Sequence, residues 1–248
     1  MEIQKTEKID SIAVCVVTNN NEEDTKFFID NLILNTNGNC TLYIYDYQSK
    51  SKNFLNYLAN ISLSCEGCFR FITEETKLAT IYNMFIDNVA EKYIAFVSIN
   101  TILDKDWIAE LLYHYKNIPN SGCIGIRSQY EDVCLSSSLF HNILKDEDEM
   151  RTIWVKKLNV IDAPLFFEKA KVEVCGYISD ALENFGYEMN EFCFRFKING
   201  FVNYYVKNTT CIKTFVENNF LIPHKSKIGG LEFNKTITKT AKAQKLNY

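Results

Sequence analysis

The segment from Leu78 to Val97 restricts the fold of this chain more than any other. Apolar residues at Leu78, Ile81, Tyr82, Phe85, Ile86 and Val89 recur at helical spacing. Three residues later comes Tyr93-Ile94-Ala95-Phe96-Val97, apolar throughout, as a strand covered on both faces must be. A helix feeding such a strand is half of a right-handed crossover unit, and it commits the chain to a sheet packed between helices. The strand ends at Ser98-Ile99-Asn100. Residues i and i+2 leave a strand on the same face. Ser98 and Asn100 are therefore expected side by side at the carboxyl edge, where open α/β sheets bind ligands.

The same alternation runs through the first half. Ser11 to Val17 reads as a buried strand, and Glu22 to Leu34 as a helix with acids in its first turn and Phe27, Phe28, Asn31 and Leu32 at helical spacing. Asn37-Gly38-Asn39 ends that helix, and Thr41 to Tyr45 is the next strand. A short helix over Ser51 to Leu58, a short strand over Phe69 to Ile72 and a helix lined by Trp107, Ile108, Leu111, Leu112 and Tyr115 follow. Asp104 and Asp106 stand where acids cap a helix start. The second half is less regular. Strands are expected over Cys123 to Ile126 and Val160 to Phe167, two helices between Ser179 and Gly200, and a closing strand over Val202 to Val206. The prediction is an α/β domain over residues 1–222, with a mostly parallel central sheet flanked by helices, and a lysine-rich tail over 223–248.

Composition narrows the function classes. A formal net charge of −4 on 248 residues gives no basic surface for phosphate backbones, so nucleic acid is not an expected partner. No apolar run approaches the roughly 20 residues that span a bilayer, and Met1 to Lys5 lacks the apolar segment of a secretory signal. A cytoplasmic location is expected. The tail from Pro223 carries six lysines against one acid. Such a tail suits either peripheral contact with an anionic membrane at its inner face or a solvated terminus. Among the nine cysteines, Cys15, Cys123, Cys175 and Cys193 sit in apolar runs and read as reduced core residues. Cys65-Glu66-Gly67-Cys68 has redox or zinc spacing, but His114, His141 and His224 are all distant in sequence, so a turn is the stronger reading. Asp146-Glu147-Asp148-Glu149 reads as a solvated loop.

The order of short motifs resembles the GT-A glycosyltransferases, and family 2 among them. Val16-Val17-Thr18-Asn19-Asn20-Asn21 looks like that family's opening strand and turn. Tyr45-Asp46-Tyr47-Gln48-Ser49 is similar to the D-D-G-S segment that holds base and ribose. Leu78 to Asn88, with Asn83, resembles the A-R-N helix, and Ser98-Ile99-Asn100 occupies the place of D-x-D. Cys175-Gly176-Tyr177-Ile178-Ser179-Asp180 resembles the G-G-F-D-E loop. Tyr187-Glu188-Met189-Asn190-Glu191, with Arg195 and Gly200-Phe201, resembles the E-D segment and its helix. The departures are Tyr47 for the second acid of D-D, Tyr82 for the arginine, Ser98 and Asn100 for both carboxylates of D-x-D, and Met189 for the acid of E-D.

The resemblance implies transfer of a sugar from a UDP-type nucleotide-sugar donor to a glycan or lipid-linked acceptor, with inversion, in glycan, capsule or lipid-linked oligosaccharide assembly. It implies donor contacts from Thr18, Asn20, Asp46, Asn83, Ser98 and Asn100. Mg²⁺ or Mn²⁺ would take one ligand from Asn100 with the diphosphate supplying most of the rest; metal-free transfer is the other route, because neutral oxygens hold such ions weakly. For the general base, Glu188 stands first and Asp180 second. In that helix Met189, Phe192, Cys193 and Phe196 form an inward stripe, leaving Glu188 and Glu191 on the neighbouring face with Glu191 able to pair with Arg195. The alternative is a catalytically inactive relative that binds nucleotide, glycan or a partner protein.

Overall fold

Two strands with hardly any solvent-facing side, Ile12–Thr18 (β1) and Tyr93–Val97 (β4), pair in parallel at the middle of the sheet. Their alternate residues feed different cores. Ala13, Cys15, Ile94 and Phe96 pack on one face with the helix Leu78–Asn88 (α3), while Val14, Val16, Ala95 and Val97 pack on the other with Trp107–Asn117 (α4). That two-sided burial is why both runs are apolar without alternation.

The computed structural model describes residues 10–20, 22–36, 40–74, 77–99, 101–128, 155–158, 164–180 and 188–213. After β1 the chain forms the helix Glu22–Asn35 (α1), the strand Cys40–Tyr47 (β2), the helix Lys52–Ser64 (α2) and the strand Cys68–Thr73 (β3). Thr101–Leu103 (β5) follows β4, and Ser121–Ser128 (β6) follows α4. Then come Val155–Leu158 (β7), Leu165–Glu168 (β8), a 3₁₀ turn over Lys169–Lys171, Val172–Cys175 (α5), Glu188–Ile198 (α6) and Val202–Lys213 (β9). The described strands form one nine-stranded sheet in the order β3-β2-β1-β4-β8-β6-β9-β5, with β7 also on β9. Six of them (β1, β2, β3, β4, β6 and β9) run the same way, while β8, β5 and β7 run against them, so the sheet is mostly parallel. A third core cluster, with Phe54, Leu58 and Ile61 of α2 around Ile44, closes the β2 end.

Several expectations need adjustment. The strand foreseen over Thr41 to Tyr45 continues through Tyr47, so Asp46 lies inside a paired strand rather than just past its end. The short helix foreseen to Leu58 runs on to Ser64; Ser51 caps it, its Oγ accepting from the Phe54 N–H at 3.2 Å. Asp106 holds the cap position of α4 but adopts φ 62° and makes no side-chain cap hydrogen bond, so the expected capping role fails there. β5 was not foreseen, three residues being too few to show a period; it pairs with the far end of β9, which reaches Lys213 rather than stopping at Val206. Of the strand foreseen over Val160 to Phe167, β8 covers Leu165–Glu168, and residues 160–163 lie outside the described residues. Of the two helices foreseen between Ser179 and Gly200, α6 is described, and residues 181–187 lie outside. Asn37 to Asn39, Asn100, the Asp146–Glu149 run and the tail 223–248 also lie outside.

Cys15, Cys123, Cys175 and Cys193 are buried and take part in no disulfide among the described residues. The Cys65–Cys68 pair brackets a turn: the Cys68 N–H donates to the Cys65 carbonyl at 3.2 Å, and Gly67 takes φ +75°, which favours glycine. No described helix is long and apolar enough to cross a membrane.

Candidate functional site

The parallel register of β1 and β2 sets Thr18 directly against Asp46 at the carboxyl edge of the sheet. Both are buried, Thr18 at 0% and Asp46 at 1% exposure. The Thr18 hydroxyl donates to Asp46 Oδ1 at 3.2 Å, and Asp46 Oδ2 has no hydrogen-bond partner among the described residues. A carboxylate oxygen held out of water without a donor costs on the order of 1–3 kcal/mol, so this atom is suited to an N–H brought by a ligand.

The loops that follow these strands are tied to each other by Asn20. Its backbone N–H donates to Ser49 Oγ at 2.9 Å, and its Oδ1 accepts from the Lys50 N–H at 2.9 Å. Both Asn20 and Gln48 adopt the left-handed region, with φ 49° and 53°. Asn20 thus works as a brace that shapes the rim around Asp46, its side chain engaged by the neighbouring loop.

Ser98 follows the last residue of β4. Val97 pairs with Val16, so Ser98 stands near the level of Thr18 and Asp46, two strands from Asp46 and about 10 Å away at the usual strand spacing. The Ser98 carbonyl accepts from the Thr101 N–H at 3.0 Å, which turns the chain into β5. Asn100, expected beside Ser98, lies outside the described residues.

On the other side stands α6. Phe192 and Phe196 pack edge-on against Phe167 of β8, with centroids 5.2 and 5.9 Å away. Phe167 pairs with Ile94, and Glu188 begins the helix one turn before Phe192. Tyr82 marks where that turn lies. Its ring sits 4.4 Å from Phe96, and its phenol is pushed up by burial first and then by the charges of Cys15 and Glu188. Tyr82, Phe96 and Phe192 share one core, so Glu188 opens α6 on that face of the sheet. The neighbouring-face reading of this helix needs correction: Glu188 and Glu191 are 5% and 3% exposed, while Met189 is only partly buried against the core. The Glu191–Arg195 pair forms as expected, at 2.8 Å. Burial raises the Glu191 pKa, an effect that Arg195 partly offsets.

The remaining candidates are engaged elsewhere. Asn83 spends both polar atoms on one residue: Nδ2 donates to the Ile178 carbonyl at 2.8 Å, and Oδ1 accepts from the Ile178 N–H at 3.0 Å. Asp180 is exposed and ion-paired to Lys77 at 3.0 Å, and that hydrogen bond lowers its pKa, which makes it the weaker base of the two carboxylates considered. Tyr82, at the position of the motif arginine, belongs to the core.

A divalent cation fits the described residues poorly. Mg²⁺ and Mn²⁺ seek several oxygen ligands, carboxylates first. Ser98 offers one hydroxyl, Asp46 lies two strands away, and no group of three or more His, Cys, Asp or Glu among the described residues is placed to hold an ion. Lys77 and the carbonyl contacts of Arg195 were not legible in the sequence, and neither was the bond from Ser49 to Asn20. The φ > 0 residues and long-range hydrogen bonds that give them a role have no period or motif to announce them.

No family model matches the chain, and no curated protein matches it in sequence. Solved structures match it in three dimensions. The mannosyltransferase PcManGT from Pyrobaculum calidifontis, in complex with GDP-Man and Mn²⁺, superposes with a TM-score of 0.66 at 13% identity, over 84% of this chain and 58% of that one. GalNAc-T7 with UDP, GalNAc and Mn²⁺ gives 0.68 at 12% identity, over 94% and 48%. S. aureus TarS 1-349 with UDP-GlcNAc gives 0.68 at 11% identity, over 92% and 65%. The chain thus spans from about half to just under two thirds of the length of these structures. Identity at that level speaks for architecture alone, and the architecture of this chain is the GT-A glycosyltransferase fold.

Proposed function

We propose that the protein is a glycosyltransferase that draws its sugar from a UDP-type donor. The observation that carries this reading is the buried Asp46 Oδ2, without a partner among the described residues, beside Thr18 at the carboxyl edge of a GT-A sheet. Uracil offers an imide N–H, which a carboxylate accepts well. In this reading Thr18 fixes the orientation of Asp46, Asn20 shapes the rim, and Ser98 faces the diphosphate two strands away. The neighbouring folds were solved with GDP-Man, with UDP and GalNAc, and with UDP-GlcNAc, which agrees with a nucleotide-sugar donor.

The acceptor is a glycan or lipid-linked hydroxyl, and the cytoplasmic side of a membrane is the setting proposed for it. Glu188 takes the proton as that oxygen attacks the anomeric carbon. The bond from that carbon to the diphosphate breaks on the opposite face, and the product is inverted. The buried position of Glu188 at the start of α6 suits a base sheltered from water. The counter-charge for the departing diphosphate comes from backbone N–H groups and lysines in this account, since the described oxygens fit a cation poorly.

A second reading has its own support. Ser98 and Met189 stand where the motifs carry carboxylates, and Tyr82 is sealed into the core, as expected of a relative that binds a nucleotide without turning it over. Thermal-shift measurements with UDP, GDP, UDP-GlcNAc and GDP-Man, with and without Mn²⁺, test both. Stabilisation by a uridine nucleotide together with release of UDP from a UDP-sugar supports the enzyme. Stabilisation without release supports the inactive relative, and no stabilisation by any nucleotide refutes both.

A further inference from the structure

The loop from Gly176 to Asp180 runs antiparallel to α3 as an extended strap, fastened to that helix near each turn. The Tyr177 hydroxyl donates to Asp87, Ile178 is held by both polar atoms of Asn83, and Asp180 meets Lys77. Ile178 itself is buried in the core under the sheet. From the opposite side α6 contributes one group, Arg195. Its Nη1 donates to the Cys175 carbonyl at 2.6 Å and its Nη2 to the Tyr177 carbonyl at 2.5 Å. Its Nε lies 2.8 Å from Glu191, whose side chain is 4% exposed. The backbone is shaped to admit this fork: Gly176 takes φ +80°, and a Cβ there would stand 2.8 Å from Arg195 Nη1.

We propose that Arg195 is a positioning residue that couples the helix bearing Glu188 to the strap, with Asn83 as its counterpart on α3. Glu188 opens α6 and Asp180 ends the described strap, so the two carboxylates considered for the general base hang from one hydrogen-bonded assembly. The side chains of Arg195 and Asn83 bond to the strap and to Glu191, and those of Thr18 and Asp46 to each other, so Arg195 and Asn83 set how the sugar half of a donor is received while leaving the nucleotide half alone. A lysine cannot replace the arginine, because a single ammonium does not span two carbonyls and a carboxylate in one plane. This inference rests on the functional reading above.

The test is calorimetric titration of UDP and of a panel of UDP-sugars (UDP-glucose, UDP-galactose, UDP-GlcNAc and UDP-GalNAc) into wild type, Arg195→Lys and Asn83→Ala. Wild type is expected to bind at least one UDP-sugar more tightly than UDP. Arg195→Lys is expected to hold UDP within about twofold, since that contact is independent, and to weaken the preferred UDP-sugar by about tenfold. Asn83→Ala, at a partly exposed position that does not threaten folding, is expected to erode the same sugar-over-UDP preference and to speed hydrogen exchange at the Ile178 amide. That preference is a readout a purely structural role leaves unmoved. Folded variants that keep the full preference overturn the inference alone, as does a wild type that binds UDP but no UDP-sugar more tightly. A wild type that binds neither overturns the functional reading and this inference together.

Discussion

Asn203 should be among the costliest single residues to remove, because it repairs a break in the sheet. The pairing of β6 with β9 shifts register between Ser121 and Ile124, which leaves the Cys123 N–H without a ladder partner. Asn203 Oδ1 accepts that N–H at 2.9 Å, and its Nδ2 donates to the Cys193 carbonyl of α6 at 2.9 Å. Cys123, Cys193 and Asn203 are at most 1% exposed. Asn203→Ala strands a buried donor at about 1–3 kcal/mol and gives up a second bond worth about 1 kcal/mol, so a loss of about 2–4 kcal/mol is predicted. Gly122 is the natural partner in a double-mutant cycle. A Cβ at Gly122 would stand 2.5 Å from Asn203 Oδ1, so Gly122→Ala displaces the same side chain. The two losses should then fall short of adding by about 1–2 kcal/mol. Urea unfolding of the four proteins measures this directly. An Asn203→Ala loss below about 0.5 kcal/mol, the level of an ordinary surface change, or full additivity with Gly122→Ala, would refute the reasoning.

Two further outcomes follow from the site. Tyr82→Arg restores the residue type of the A-R-N motif but places a cation against Phe96; it should cost about 3–5 kcal/mol of stability and leave UDP affinity no better, and a stable variant that binds UDP more tightly would contradict the core assignment of Tyr82. Because burial raises the Glu191 pKa, the folded chain holds that proton more tightly than the unfolded chain does. The associated stability is complete below the ordinary carboxylate value of about 4.3 and is lost as pH rises through the folded-state value. Unfolding free energies measured across this range should show that fall, and Glu191→Gln should flatten it.

How far the sequence spoke depended on range. The strand over Tyr93–Val97 was legible to the residue because burial on both faces leaves an unbroken apolar run, and α3 was legible through its stripe. Asp46 was legible as a candidate through the order of flanking motifs, but not its burial or its bond from Thr18, which lies 28 residues earlier in the chain. Glu188 and Glu191 were expected on the face beside the inward stripe, and both are buried. A carboxylate reads as surface by type; the i,i+4 pair with Arg195 was expected, but not the seating of that arginine on the Cys175 and Tyr177 carbonyls, which takes the pair out of water. Asn83 looked like a ligand contact, and it is the Ile178 backbone, 95 residues away, that claims it. β5 and the bulge bridged by Asn203 are equally silent, since neither has a period.

The most direct measurement is calorimetric titration of UDP and CDP into wild type and Asp46→Asn. Uracil presents an N3–H to the carboxylate where cytosine presents a lone pair, so wild type should prefer UDP. Asp46→Asn keeps the shape and the Thr18 contact but loses the charged acceptor, and it should weaken UDP by at least about tenfold, the worth of one charge-assisted hydrogen bond, and abolish the preference over CDP. Equal affinity of wild type for the two nucleotides, or an Asp46→Asn protein that still favours UDP, would contradict the placement of the base at Asp46.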